Sequence, residues 1–307
     1  MSWKRWAVGG LISALAAGGA SAQQPFQDPQ LPTGQTRQVS PHVWVIMGFP
    51  NIGIVVGDDA VLVVDTGLGA ANGELITQEA KKLAKRGQEI ILTTTHFHPE
   101  HTSGQSGFPP RTQVIRNQAQ QQELEAEGQE IIDRFAKRSP EMRNLLKDAK
   151  PQKATTLFDR EATLDLGQVH AKLYWFGAAH TRGDEIIYIP EDKLLLPGDV
   201  VQNRLSPNVI CASCSPRQWV AVLDKVAELK PERVVPDHGE LGSGALVAQE
   251  RAFLVDLDQR AVALKTQGVP VDDAGKRIQA DMEKAYPSWQ GLGNVPQSVA
   301  RAYSDPR

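Results

Sequence analysis

Cysteine is nearly absent: Cys211 and Cys214 are the only two in 307 residues. A four-cysteine zinc site is therefore excluded by count. No thioredoxin-like strand-to-helix context surrounds the single C-x-x-C, so a local disulfide is the simpler expectation for an exported chain. Basic excess is also lacking. A formal charge of −3 gives no electrostatic reason to bind nucleic acid. Long hydrophobic runs are missing too: the apolar stretch from Trp6 to Ala17 is about a dozen residues, short of the roughly 20 that a membrane-spanning helix needs. Tandem repeats and low-complexity tracts do not occur.

Lys4 and Arg5 precede that stretch, and the small residues Ala20 and Ala22 follow it, which is the layout of a secretory signal peptide. Residues 1–22 are expected to be removed, taking the net charge from −3 to −5. The mature chain is then expected in the periplasm or outside the cell, with no membrane attachment. Residues 23–38 are polar and proline-rich and read as a linker. Residues 39–307 read as one α/β domain with a helical extension at its end.

Histidine is scarce as well, with seven in the chain, yet three of them fall within "THFHPEH", Thr95 to His101. The surroundings are ordered. "HVWVIM", "NIGIVVG" and "AVLVVDTG" read as strands, a helix follows with Leu75, Ile76, Ala80, Leu83 and Ala84 on one face, and "EIILTTTH" is a buried strand running into the cluster. A further strand, "TQVIRN", and a helix from Gln118 to Lys137 come next. From Thr155 the pattern repeats, with strands "TTLF" to "KLLLPGD", a helix begun by Ser215 and Pro216, a short strand "RVVPDHG", and helices to the end. Two such halves predict two sheets packed face to face with helices outside, a four-layer arrangement.

Metal ligation needs lone pairs that converge, and loops leaving strand ends position them well. His96 and His98 are two apart and project to one side of an extended backbone, the state that Pro99 favours for His98. "GAAHTRGD", "LLLPGD" and "VVPDHG" present His180, Asp199 and His238 at further strand ends. Neutral imidazoles so placed suit zinc, with iron or manganese as alternatives. His42 and His170 lie outside this pattern and read as surface or structurally satisfied histidines.

Together with "VVDTG", which carries Asp65, these motifs resemble, in order, those of the metallo-β-lactamase superfamily, over roughly residues 39 to 260. The resemblance implies an αβ/βα sandwich with a metal site along one edge of the paired sheets. By position it implies a first metal on His96, His98 and His180, a second on Glu100, His101 and His238, and a bridging Asp199, a set similar to that of glyoxalase II. Asp65 would support a ligating histidine from behind. Glu100 departs from the family, which usually carries aspartate there. The longer side chain moves its carboxylate by about 1.5 Å, the length of a C–C bond. Three outcomes stay open: ligation, a base beside the metal, or a weakened second site.

The expected activity is that of a dinuclear zinc hydrolase acting on a small molecule. Metal ions lower the pKa of a bound water toward neutrality and supply a hydroxide nucleophile, with Glu100 or Asp199 moving the proton. An ester, thioester or lactone is the expected substrate bond. β-Lactamase activity, an iron-dependent redox enzyme on the same fold and a non-catalytic periplasmic accessory protein are the alternatives. Phe49 is a candidate lip over the metals, Arg204 a candidate partner for a substrate carboxylate, and the helix at 118–137 a candidate cover of the cleft.

Overall fold

Alternation along the strands decides which side of each sheet is buried against what. In the computed structural model, which describes residues 28–306, the chain begins with four antiparallel neighbours: β1 (Thr36–Gln38), β2 (Val43–Ile46), β3 (Ile52–Val56) and β4 (Ala60–Val64). Helix α1 (Gly69–Leu83) crosses over to β5 (Glu89–Thr93), which lies parallel to β4. One-turn helix α2 (Pro99–Thr102), strand β6 (Gln113–Asn117), helices α3 (Gln118–Ala136) and α4 (Pro140–Leu146) and strand β7 (Thr156–Phe158) complete a seven-stranded sheet in sequence order.

The second sheet holds β8 (Glu161–Asp165), β9 (His170–Tyr174), β10 (Ile186–Ile189) and β11 (Leu194–Leu196). After α5 (Pro216–Glu228) it adds β12 (Arg233–Val234) and β13 (Gly242–Ser243), in the order β13-β12-β11-β10-β9-β8. Helices α6 (Ala245–Thr266), α7 (Val271–Ala285) and α8 (Val295–Ser304) follow. None of the described helices is long and apolar enough to cross a membrane.

Odd and even positions sort the layers. Val55, Leu62 and Val64 of the first sheet meet Leu173, Ile187 and Ile189 of the second in the central core. Ile54, Val61 and Val63 face the other way, onto Leu75, Ile76 and Ala80 of α1. Ile186 and Tyr188 likewise turn outward onto Trp219, Val222 and Leu223 of α5. The result is the expected four-layer αβ/βα sandwich. Phe253 and Leu257 of α6, with Ile278 and Met282 of α7 and Val299 of α8, bury a smaller core of their own. Ser139 and Ser215 cap α4 and α5, accepting from the backbone N–H of Met142 and Gln218, each followed by a proline at the first helical position.

One boundary moves. The export signal expected at residues 1–22 lies outside the described residues, but part of the linker expected at 23–38 belongs to the fold. Leu31 is buried with Ile46, Ile52 and Leu75, its backbone N–H donates to Asn72 Oδ1, and β1 pairs with β2. A single apolar residue among prolines carries no periodic signal, and burial here comes from contacts some 41 residues away in sequence.

The turn after β1 is tied across to the second sheet. Asp192, 4% exposed, accepts from Ser40 Oγ, from the His42 backbone N–H at 2.9 Å and from His42 Nδ1 at 2.7 Å. Burial pushes this carboxyl up, but the bonds from Ser40 and His42 outweigh it and hold the pKa below the ordinary 3.8. Stability from this carboxylate is therefore fully present above about pH 4 and is lost as pH falls through the lowered value. Asp192→Asn is expected to cost about 1–3 kcal/mol at pH 7, the range for bonds to a buried charged group. Denaturant melts of both chains should show that gap shrinking at acid pH, where the wild-type carboxyl protonates.

Candidate metal centre

The cluster begins where β5 ends. Beyond Thr93 the strand gives way to a bend that carries His96 and His98, and His98, at φ −64° and ψ 153°, shows the extended conformation that Pro99 imposes on its predecessor. Pro99 then opens α2, whose single turn carries Glu100 and His101. His96 Nε2 and His98 Nδ1 come within 3.0 Å of each other. His180 arrives from the loop after β9, where Asp184 accepts from the Thr181 backbone N–H at 2.8 Å and from Thr181 Oγ1 at 2.7 Å and so fixes the turn. Its Nε2 stands 3.5 Å from His98 Nδ1 and 3.4 Å from Asp199 Oδ2.

Asp199 follows β11 through Gly198, where φ is +60° and an added Cβ would sit 2.7 Å from Thr95 Cβ. Only glycine lets this turn approach the histidine strand so closely. The other Asp199 oxygen, Oδ1, lies 3.4 Å from His238 Nε2. His238 leaves the short β12, and Phe49 stacks on its ring at 5.0 Å. All seven residues that sequence motifs single out, His96, His98, Glu100, His101, His180, Asp199 and His238, thus meet at one edge of the sandwich. His42 and His170 lie apart, on Asp192 and Glu191.

Two donor sets share that edge without overlapping: His96, His98 and His180 form one group, and Glu100, His101 and His238 another, with the donor atoms of each within 4.8 Å of one another; a third combination, His96 and His101 with Asp237, meets the same limit by drawing one histidine from each. Two ligands at 2.0–2.1 Å in a tetrahedral shell stand about 3.3 Å apart. The edges of 3.0, 3.5, 3.4 and 3.4 Å described above bracket that value, whereas His101 Nε2 to Glu100 Oε1, at 3.9 Å, is wider.

Hydrogen bonds behind the cluster set which nitrogen faces inward. His180 Nδ1 donates to the Asn208 carbonyl at 2.8 Å, which leaves Nε2 as a lone pair. His101 Nδ1 donates to Asp65 Oδ2 at 3.1 Å and lies 3.3 Å from Asp237 Oδ2, turning its Nε2 inward in the same way. Asp65 sits at φ +72°, a conformation uncommon for any residue but glycine and repeatedly found at functional sites. Its Oδ1 accepts the Thr95 backbone N–H at 2.7 Å, so it braces the histidine strand and the His101 ring together.

Two contributors lack a motif signal of their own. Asp237 precedes His238 and accepts from Thr95 Oγ1 at 2.8 Å. Its place inside "VVPDHG" was the available hint, overshadowed by its neighbour. Gln202 donates from Nε2 to Asp199 Oδ1 at 2.6 Å and so orients the carboxylate between the two donor sets.

Burial and charge agree with a cation at this place. Burial, reinforced by the neighbouring imidazoles, pushes His96 and His98 well below the usual histidine range, so both are neutral and available as ligands. Burial also pushes Glu100 up to about 7. His101 is opposed by burial, yet Asp65, Asp237 and Glu100 together drive it up to about 10. His101 Nε2 and Glu100 Oε2 are buried with no hydrogen-bond partner. Orphaned polar atoms buried within a group of carboxylates are costly unless a positive ion meets them. The residues present therefore fit a metal centre.

A cavity of about 360 Å³ opens on the cluster, walled by Phe49, Glu100, Asp199, Gln202, Asn208 and Arg138 among others. Arg204, the arginine that its position after Asp199 suggested, is exposed, adopts φ +59° and is not part of this wall. The guanidinium at the cavity is that of Arg138, just past the end of α3, which does line the cleft. Cys211 and Cys214, in the loop beyond Asn208, are joined by a disulfide.

Comparison with known proteins gives a consistent outline. The family model described as the metallo-beta-lactamase superfamily matches residues 45–238. A linear primary-alkylsulfatase from a Pseudomonas species is 24% identical over 282 residues, 80% of this chain and 53% of the relative, so the chain spans about half the length of the curated relative it matches. Among solved structures, the stereoselective inverting sec-alkylsulfatase Pisa1 from Pseudomonas sp. superposes with a TM-score of 0.67 at 16% identity, over 89% of this chain and 50% of that one. A metallo-beta-lactamase from Pontibacter korlensis superposes at 0.59 and 19% identity, over 74% of this chain and all of that one. At such identities the structures speak for the fold alone.

Proposed function

We propose, given that this chain belongs to the metallo-beta-lactamase superfamily, that it is an exported dinuclear metallohydrolase acting on an ester-like bond of a small organic molecule. The observation that carries this reading is Asp199, whose two oxygens lie 3.4 Å from His180 and 3.4 Å from His238 and so span the two donor sets. His96, His98 and His180 would hold one divalent cation, Glu100, His101 and His238 a second, and Asp199 would bridge them. Zinc suits these nitrogen and carboxylate ligands, and iron or manganese would be accepted by the same set. Bound cations supply Lewis acidity and bring a water molecule's pKa toward neutrality.

The chain's own groups complete the chemistry. Glu100 would hold the second cation through one carboxylate oxygen, and the other could take a proton and return it to a leaving group. Asp65 and Asp237 hold the His101 ring, and Gln202 holds Asp199, so little reorganisation is needed as charge develops. Phe49 covers one side of the cavity and limits water there. The Cys211–Cys214 disulfide supports an oxidising compartment, in keeping with the basic and apolar layout of residues 1–22.

A carboxylic ester, thioester or lactone remains the preferred bond. Sulfate esters form a second reading, favoured by the likeness to a linear primary-alkylsulfatase over most of the chain. Metal quantification on the purified protein, followed by rates on phenyl esters, thioesters, lactones, alkyl sulfates and β-lactams, tests both. Two equivalents of metal with carboxylic-ester turnover is the expected result. A chain that retains no metal, or that turns over none of these bonds when loaded, overturns the proposal.

A further inference from the structure

Beside the metal cavity lies a second chamber of about 450 Å³ that shares His98, Phe135, Arg138 and Asn208 with it as a common wall. Its charge is unusual. Arg134 and Arg138 project from the end of α3, and Arg301 enters from α8. Neither Arg134 nor Arg138 makes an ion pair or hydrogen bond through its guanidinium among the described residues. The Arg138 guanidinium carbon instead lies over the Phe135 ring, 3.4 Å from its centre. Arg301 donates from Nη2 to the Ile210 carbonyl at 3.0 Å, while its Nε is buried without a partner.

Three carboxylates also line the chamber, but two are already engaged. Glu123 accepts the Arg182 and Gly183 backbone N–H groups and the Arg182 side chain, and Glu127 accepts Arg182 Nη2 at 2.8 Å. Of the chamber's own carboxylates Glu130 alone is left to set against three guanidiniums, with Glu100 acting on Arg138 across the shared wall. A pair of arginines at a helix C-terminus answers the helix dipole, a small effect at an exposed end. That role requires neither a shared cavity wall with a metal cluster nor a ring that fixes one guanidinium in place.

We propose that this chamber is the subsite for a carboxylate carried by the substrate some atoms away from the scissile bond, with Arg138 as its main anchor and Arg134 and Arg301 adding to the field. The planar guanidinium fork matches a carboxylate bidentately, and stacking on Phe135 removes much of the side-chain freedom that binding would otherwise freeze. Asn208 joins the two chambers: its carbonyl oxygen fixes His180, and its buried side-chain Oδ1 has no partner. The inference deepens the hydrolase reading and rests on it for the position of the scissile bond. The favoured substrate is then the ester of an organic acid that keeps a second, free carboxylate.

A matched pair of esters tests this on the metal-loaded chain. Monophenyl glutarate and phenyl pentanoate differ only in the terminal carboxylate. The wild type should show a kcat/KM about tenfold or more higher for the glutarate ester, the size of effect that one charged hydrogen bond gives. Arg138→Gln should lower the ratio of the two kcat/KM values about tenfold, mainly through KM, and Arg138→Lys should restore part of it. An unchanged ratio in Arg138→Gln overturns the proposal. Calorimetry with pentanoate and pentanamide reads the subsite without hydrolysis: the preference for the carboxylate should fall about tenfold in the Arg134→Gln/Arg138→Gln double variant. If pentanoate binds that variant as tightly as the wild type, it sits on the metals and the subsite is disproved while the hydrolase reading stands. If no ester is hydrolysed but the arginine-dependent preference persists, the hydrolase reading falls and the subsite survives.

Discussion

His180→Ala is expected to leave a folded chain that no longer retains a full complement of metal and hydrolyses its ester at least about a thousandfold more slowly. His180 is the one member of its donor trio supplied by the second sheet, and it is also the trio's contact to Asp199, at 3.4 Å. Without it, His96 and His98 offer only two nitrogens from one strand, and a two-ligand site loses both affinity and geometry. The Lewis acid contributes several kcal/mol to the transition state, and each 1.36 kcal/mol is a factor of ten in rate. The fold should persist because the loop around His180 is fixed independently, through Asp184 onto Thr181 and through the Thr95 carbonyl accepting the Glu185 N–H at 2.6 Å. His170→Ala provides the control, since His170 is half-buried at the start of β9, away from the cluster, and among the described residues pairs with Glu191 and Asp165. Metal content by mass spectrometry, circular dichroism and kcat/KM on the same preparations decide the matter. A His180→Ala chain that keeps two equivalents and a rate within tenfold of wild type removes the basis for the dinuclear reading.

The reach of the sequence differs between the scaffold and the site. Strands such as "VLVV" and "LLL" were legible because both of their faces are covered, by the other sheet and by a helix, and an uninterrupted apolar run is the signature of that burial. Ligand positions were legible because each stands where such a run stops. Strand length was less so: β12 is only Arg233–Val234, although "RVVPDHG" reads as a longer run, because Val235 still donates to the Leu195 carbonyl but Pro236, with no N–H, cannot extend the ladder. The supporting contacts were not legible at all. Thr95 to Asp237 joins residues 142 apart, and no local pattern tells which aspartate will meet which threonine. Arg138 was hidden for a similar reason. It follows an amphipathic helix in a charged segment, and only the packing of Phe135 against the His98 wall turns its side chain toward the cavities, whereas Arg204, near the ligands in sequence, points to solvent.

Glu100→Asp is expected to weaken the second cation about 10- to 100-fold and to lower turnover by tenfold or more, even though aspartate is the usual residue of the family at this place. The carboxylate would withdraw by about 1.5 Å, one C–C bond, from a position where it now stands 3.9 Å from His101 Nε2, with Oε2 buried and unpartnered. Compensation would need α2 to advance toward the cluster by the same distance, and the turn is held on several sides. Thr102 Oγ1 donates to the His98 carbonyl at 3.0 Å, Thr66 Oγ1 to the His101 carbonyl at 2.9 Å, and Ser103 Oγ, bonded to the Pro99 carbonyl, accepts the Gly69 N–H at 2.9 Å. Glycines at 73 and 104 let α1 close on the segment after α2 so tightly that a Cβ at Gly73 would meet the Gly104 carbonyl at 1.9 Å, leaving no slack. This backbone is therefore set for the longer side chain, and shortening it removes a charge-assisted contact of roughly 1.5–3 kcal/mol, which is the quoted loss of affinity. Glu100→Gln keeps the length but removes the charge, and should lose at least as much. Chelator competition that resolves the first and second equivalents, paired with kcat, separates the two effects. If Glu100→Asp instead binds the second equivalent as tightly as the wild type, or turns substrate over faster, then glutamate is a handicap at this position and the fixed turn does not control the metal distance.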